Sequence, residues 1–173
     1  VYTHSLLTMD YLPHDKPLLR IAGLLHDIGK VKSRIWEPTK GRYVFYEHED
    51  IGAGMIHDIA LRFKMSSDEE KYITHMVRRH LLRYDESWTN RAVRRNVNEI
   101  TRWTEHDYRE ELLYDLLKLR EADACSRDRP GFCLEVMQNN EAFLRRVRSL
   151  GVETGKLAFG VRDLKITGHD VMD

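Results

Sequence analysis

Residues 17–30 read PLLRIAGLLHDIGK, an apolar stretch that carries two adjacent polar side chains, His26 and Asp27, near its end. Leu18, Leu19, Ala22, Leu25 and Ile28 recur at roughly three- and four-residue steps, which predicts a buried helix, and Pro17 is acceptable in its first turn. An imidazole beside a carboxylate is costly to bury without partners. The fold must therefore answer both groups. Hydrogen bonds at a helix terminus are one answer. A metal ion is the other, because neutral imidazole and carboxylate oxygen both coordinate divalent first-row cations.

The rest of the chain reads as mainly helical. Leu6, Leu7, Met9 and Leu12 predict an opening helix that stops before Pro13. Residues 49–64 predict another through Ile51, Met55, Ile59 and Phe63. Ser66 and Ser67 ahead of Asp68, Glu69 and Glu70 mark a further helix start, since a hydroxyl caps free amides and acids favour the positive helix end. That helix carries Tyr72, Ile73, Met76, Val77 and His80. A long amphipathic helix is predicted over about 110–125, with Leu112, Leu113, Leu116, Leu117, Leu119 and Ala122 inward. NNEAFLRRVRSLG predicts a last helix from an Asn cap to Gly151. Pro38, Gly41 and the alternating YVFY predict a short hairpin or extended lid near residues 33–47. The fold class is all-α, a helical bundle with that one extended element.

Bulk numbers narrow the setting. A length of 173 residues with 42% hydrophobic content suits a single domain with one core. Val1 is not Met and leads straight into helical spacing, so the chain reads as a piece of a longer protein, with 160–173 as the possible start of a further element. Lys plus Arg and Asp plus Glu each total 28, so any polyanion site must be local. Cys125 and Cys133 match no zinc-ligand spacing and are too few for a disulfide framework. A reducing cytoplasmic location is expected, with no membrane partner, because no apolar run approaches the ~20 residues that span a bilayer.

Five of the nine histidines precede an Asp, so the dipeptide by itself carries almost no information. His14–Asp15 follows Pro13 in a polar turn, His57–Asp58 lies in an amphipathic helix, and His106–Asp107 sits in a charged run. These read as surface. Only His26–Asp27 is embedded in an apolar helix.

With His4 in VYTHSLL before that pair and Asp123 in KLREADACS after it, the chain resembles the HD-domain phosphohydrolases. In that family a His, a contiguous His-Asp pair and a distant Asp lie on successive helices. The resemblance implies that His4, His26, Asp27 and Asp123 are metal ligands. A subset of the family adds histidines for a second ion, which implies roles for His48 in YEHEDIGA and His80 in VRRHL. His75, five residues before His80 and thus about 140° around a regular helix, points elsewhere. EHEDIGA, VRRHL and the terminal LKITGHDVMD also look like the HD region of the tRNA nucleotidyltransferase and poly(A) polymerase family. The nucleotidyltransferase head is absent from these residues, and so is the Gly-Pro segment that usually follows the terminal motif.

The resemblance implies a metal-dependent phosphohydrolase acting on a nucleotide or RNA phosphoester, either a 2′,3′-cyclic phosphodiester or a nucleoside monophosphate. One or two ions are expected, from Mn, Fe, Co, Ni, Zn or Mg. His26 and Asp27 are the expected catalytic centre, with Lys30 as a phosphate donor or as a cation at a negative helix end. Arg78, Arg79 and Arg83 form a local basic patch that suits a substrate phosphate or a solvated helix face. Arg91, Arg94 and Arg95 carry the same two readings. Trp88 and Trp103 are core or base-stacking residues. The alternatives are an RNA-binding body, with tRNA as partner, for a nucleotidyltransferase head, and a nucleotide sensor with an idle metal site.

Overall fold

The computed structural model describes residues 1–101 and 109–151. In chain order these form α1 (Tyr2–Tyr11), α2 (Pro17–Leu25), a 3-10 turn (Ile28–Val31), β1 (Arg34–Glu37), β2 (Arg42–Phe45), α3 (His48–Phe63), α4 (Ser67–Arg79), α5 (Asn90–Thr101), α6 (Arg109–Cys125) and α7 (Phe132–Ser149). The strands make one antiparallel hairpin, with Arg34 opposite Phe45 and Trp36 opposite Tyr43. The helical expectation and the hairpin near 33–47 both hold.

The chain divides into two compact units. The first comprises Val1–Arg83 and Tyr114–Gln138. There α1 packs on α2, α2 on α4, and α4 on α3, while the 3-10 turn lies against α3. α2, α3 and α4 each bury an apolar stripe: Leu19 and Ala22 from α2, Ile56 and Ala60 from α3, Ile73, Met76 and Val77 from α4, whereas α1 buries Ser5 and Thr8. These side chains sit at three- and four-residue spacing, and full burial of a large one is worth about 1.5–3 kcal/mol. Ser66 starts α4 with a reciprocal cap. Its Oγ accepts from the Glu69 amide at 3.3 Å and its own amide donates to Glu69 Oε2 at 2.7 Å. The fixed start matters because His80 follows the last turn of the same helix. Buried Asp115 is satisfied by Lys16 and by the Tyr72 hydroxyl at 2.8 Å, which fastens α6 to this bundle.

The second unit, among the described residues, comprises 84–101, 109–113 and 139–151. Its core holds Val93, Val97 and Ile100 of α5 with Leu112, Leu113, Phe143 and Val147. Trp88 meets Tyr84 edge-on at 5.7 Å and Phe143 at 6.2 Å, so it packs the core here. Trp103, His106–Asp107 and the LKITGHDVMD tract lie outside the described residues.

Two features differ from the sequence expectation. α7 begins at Phe132, not at an Asn cap, because Gly131 takes the left-handed φ of 78° and FCLEVMQ winds directly from it. Asn139 therefore lies mid-helix, where its amide donates to the Tyr84 carbonyl at 2.8 Å. The helix ends at Ser149, and Gly151 two residues on is also left-handed. Cys125 and Cys133, set aside as too few for a disulfide framework, form a single bridge across the turn between α6 and α7.

Gly29 lies where the 3-10 turn crosses the start of α3. A Cβ there would overlap the His48 carbonyl oxygen and stand 2.6 Å from the Gly52 nitrogen, both backbone atoms that cannot swing aside. Gly29→Ala is expected to lower stability by about 1–3 kcal/mol. Chemical denaturation against the unsubstituted protein reads this directly, and an unchanged midpoint would contradict the packing described.

Candidate metal centre

Four histidines reach one place from four local structures. His4 lies on α1, His26 immediately follows α2, His48 opens α3 and His80 immediately follows α4. Three of them are oriented in the same way. Nδ1 of His26 donates to the Gly23 carbonyl at 2.7 Å, that of His48 to Phe45 at 2.8 Å, and that of His80 to Val77 at 2.6 Å. A carbonyl only accepts, so Nδ1 carries the hydrogen and Nε2 is the atom turned inward. His4 is held differently. Its Nδ1 meets Ser126 Oγ at 3.0 Å, and Ser126 in turn meets Thr8 Oγ1 at 2.8 Å. Thr8 Oγ1 also bonds the His4 carbonyl, which locks this arm of the site to α1.

The inward atoms surround two carboxylates. Asp123 Oδ1 lies 2.9 Å from His4 Nε2 and 3.3 Å from His26 Nε2. Asp27 faces both sides. Its Oδ2 is 3.5 Å from His26 Nε2 and 3.7 Å from His4 Nε2, while Oδ1 is 3.4 Å from His48 Nε2 and 3.9 Å from His80 Nε2. Donor atoms of His4, His26 and Asp123 lie within 4.8 Å of one another, as do those of Asp27, His48 and His80. The six residues thus form two adjoining groups of three. Asp27 stands at their junction.

Several of these atoms are buried without a hydrogen bond: Nε2 of His26, His48 and His80, and Oδ1 of Asp27. Leaving a buried polar atom unsatisfied costs about 1–3 kcal/mol. Four such atoms aimed into one space are a poor solution for a hydrogen-bonded core and a good one for a divalent cation. The donor set, imidazole nitrogens with carboxylate oxygens, suits Mn, Fe, Co, Ni or Zn better than Mg or Ca. By this test the residues fit a metal.

The two buried carboxylates dominate the electrostatics, and in the metal-free protein His26 carries the compensating positive charge. Burial alone would depress His26, but the Asp123 and Asp27 carboxylates outweigh it and raise the ring's pKa to about 9. Burial would lift Asp27, yet His26, His48 and Lys30 hold it far below the usual carboxylate range. Asp123 is held low in the same sense by His26, His4 and Arg127. Burial and then the positive His26 push His80 down to about 4, so it stays neutral and able to coordinate.

The other expected site residues are placed less uniformly. Lys30 Nζ donates to Asp27 Oδ2 at 2.6 Å, so its charge is engaged with the centre. Arg78 is exposed and pairs with Asp50 at 3.2 Å, and Arg83 pairs with Glu135 at 3.5 Å. Arg79 is half-buried on α4. Sequence reasoning missed Thr8 and Ser126, whose positions show no pattern until the fold brings them together. It also missed Arg127, whose guanidinium grips Asp123 at 2.7 Å and 2.8 Å. The four-residue step from Asp123 to Arg127 is the signal that could have found it.

Comparison with known proteins gives a consistent picture. The family model described as HD domain matches residues 1–128. An A-adding tRNA nucleotidyltransferase of Deinococcus radiodurans is 34% identical over 122 residues, which is 69% of this chain and 25% of that protein. A CC-adding tRNA nucleotidyltransferase of Thermus thermophilus is 31% identical over 104 residues, which is 60% of this chain and 21% of that protein. The chain therefore spans about a quarter or less of the length of these curated relatives. No solved structure gives a significant match.

A pH dependence follows for the metal-free protein. His26 is raised from 6.5 to about 9, so its contribution is complete below pH 6.5 and is lost as pH rises through about 9. His80 is lowered to about 4, so stability is instead lost as pH falls from 6.5 through about 4. With chelator present, stability is expected to peak near pH 6.5 and to drop by up to about 3 kcal/mol toward pH 9. Thermal unfolding of the protein and of His26→Gln at both pH values checks this. An equal alkaline drop in the variant would assign the effect elsewhere.

Proposed function

The chain belongs to the HD domain family, and from that premise we propose that its six-residue centre holds one or two divalent ions and hydrolyses phosphoesters of nucleotides or RNA. The observation that carries this reading is the set of buried, unpartnered donor atoms shared between two groups through Asp27. His4, His26 and Asp123 with one Asp27 oxygen would hold one ion, and His48 and His80 with the other oxygen a second. A divalent ion supplies Lewis acidity toward a phosphoryl oxygen and acidifies water.

The chain's own residues do the rest. Backbone carbonyls of Gly23, Phe45 and Val77 fix the three ring tautomers, so no reorientation is needed on loading. Lys30 holds Asp27 Oδ2 and places a positive charge beside the centre, where a phosphate's negative charge would collect. Arg127 steadies Asp123 while leaving its own side chain partly exposed. Arg78, Arg79 and Arg83 remain proposed contacts for the remainder of a substrate phosphate. A 2′,3′-cyclic phosphodiester or a nucleoside monophosphate fits this chemistry.

A second reading has its own support. The curated relatives are tRNA nucleotidyltransferases, of which this chain matches only a part. In that reading the domain is the RNA-binding body of a longer enzyme with tRNA as its partner. As for location, no helix among the described residues is long and apolar enough to cross a membrane.

Asp27→Ala removes the one carboxylate that faces both groups. It is expected to lose bound metal and to reduce turnover of 2′,3′-cyclic nucleotides by at least two orders of magnitude. Activity equal to that of the unsubstituted protein, with metal retained, would overturn the hydrolase reading. Metal retained by the unsubstituted protein without turnover would favour the RNA-binding body.

A further inference from the structure

The hairpin between the 3-10 turn and α3 carries a local excess of cations in a chain whose total charge is zero. Residues 30–46 hold five cations, Lys30, Lys32, Arg34, Lys40 and Arg42, against the single anion Glu37. Aromatic rings are interleaved with them. Strand alternation and the register place Arg34, Trp36, Tyr43 and Phe45 on one face. Val44, on the opposite face, is buried and anchors the hairpin to the domain. The aromatic face is left to solvent: Trp36 is 52% exposed and Tyr43 46%. The two rings are cross-strand partners in edge contact at 5.1 Å, and the Arg34 guanidinium carbon lies over the Tyr43 ring, 3.7 Å from its centroid.

An exposed cross-strand aromatic pair steadies a hairpin of four-residue strands only modestly. It is, however, the surface on which nucleobases stack, because every base has a π-face and the neighbouring cations answer its phosphates. The hairpin is also joined to the metal centre. Phe45, at the near end of the same face, accepts the His48 Nδ1 hydrogen through its carbonyl, and its ring lies 5.8 Å from Lys30 Nζ. Trp36 and Tyr43 stand two residues further along the strands, about 7 Å away. A strand of several nucleotides can span both places.

We propose that this hairpin face binds single-stranded RNA, with unpaired bases stacked on Trp36 and Tyr43 and the backbone tracked by Arg34 and by Lys40 in the turn, so that the strand leads toward the centre at Asp27. The five cations favour an oligonucleotide over a mononucleotide, which has only one phosphate group to offer them. The choice of RNA rests on the phosphoester reading above; the stacking face does not.

The test is fluorescence anisotropy with a fluorescein-labelled, mixed-sequence single-stranded RNA about a dozen nucleotides long, in excess chelator. Chelation removes turnover, so failure of the hydrolase reading leaves this result intact. Trp36→Ala and Tyr43→Ala are each expected to weaken binding about tenfold, while Trp36→Phe retains most of it. Lys40→Ala is expected to lower the slope of log affinity against log salt by about one. Double-stranded RNA and a mononucleotide are expected to compete poorly. Unaltered affinity in the folded alanine variants, equal competition by duplex, or loss of self-association in place of RNA binding would overturn the proposal. Preference for single-stranded DNA of the same sequence would overturn the assignment to RNA.

Discussion

The Asp27 carboxylate is the constraint around which the first unit is arranged. It is 1% exposed, and its two oxygens face different neighbours. Lys30 takes Oδ2, while Oδ1 looks toward His48 and His80 with no hydrogen bond of its own. A buried anion in this state is tolerable only with strong local compensation. The chain supplies that compensation from elements far apart in sequence, and drawing them together is what the packing of α1, α2, α3, α4 and α6 accomplishes.

The arrangement depends on helix ends more than on helix faces. His26 and His80 come directly after α2 and α4, and His48 opens α3. Each ring reaches back to a carbonyl three residues earlier, an acceptor that a helix end or tight turn leaves available. Glu47 before His48 adopts a left-handed φ of 55°, a strained conformation for a residue with a Cβ, and the close crossing of Gly29 over the His48 carbonyl holds that junction in place. Binding geometry and fold stability are therefore coupled at the same few residues.

Much of this was legible in the sequence. The apolar run around His26 distinguished one His-Asp pair from five, and the order of His4, the pair and Asp123 resembled a family whose HD domain model does match the chain. Hydroxyl-and-acid signals marked the start of α4, and the alternation of YVFY marked the hairpin. Other features resist such reading. Thr8 and Ser126 meet across 118 residues of chain, and nothing in their local sequence indicates that contact. The start of α7 was misplaced because a pair of Asn residues looks like a cap even when a glycine eight residues earlier has already turned the chain. The cationic, aromatic face of the hairpin was masked by a total charge of zero, which averages away a local excess.

Native mass spectrometry of the chelator-treated protein after titration with Mn, Co, Ni or Zn reads whether the buried Nε2 atoms and Asp27 hold a metal. One or two ions per chain are expected, with uptake abolished or strongly weakened by Asp27→Ala while that variant remains folded. A folded, unsubstituted protein that takes up no divalent ion, or a variant that takes up as many as the unsubstituted protein, would contradict a metal site there.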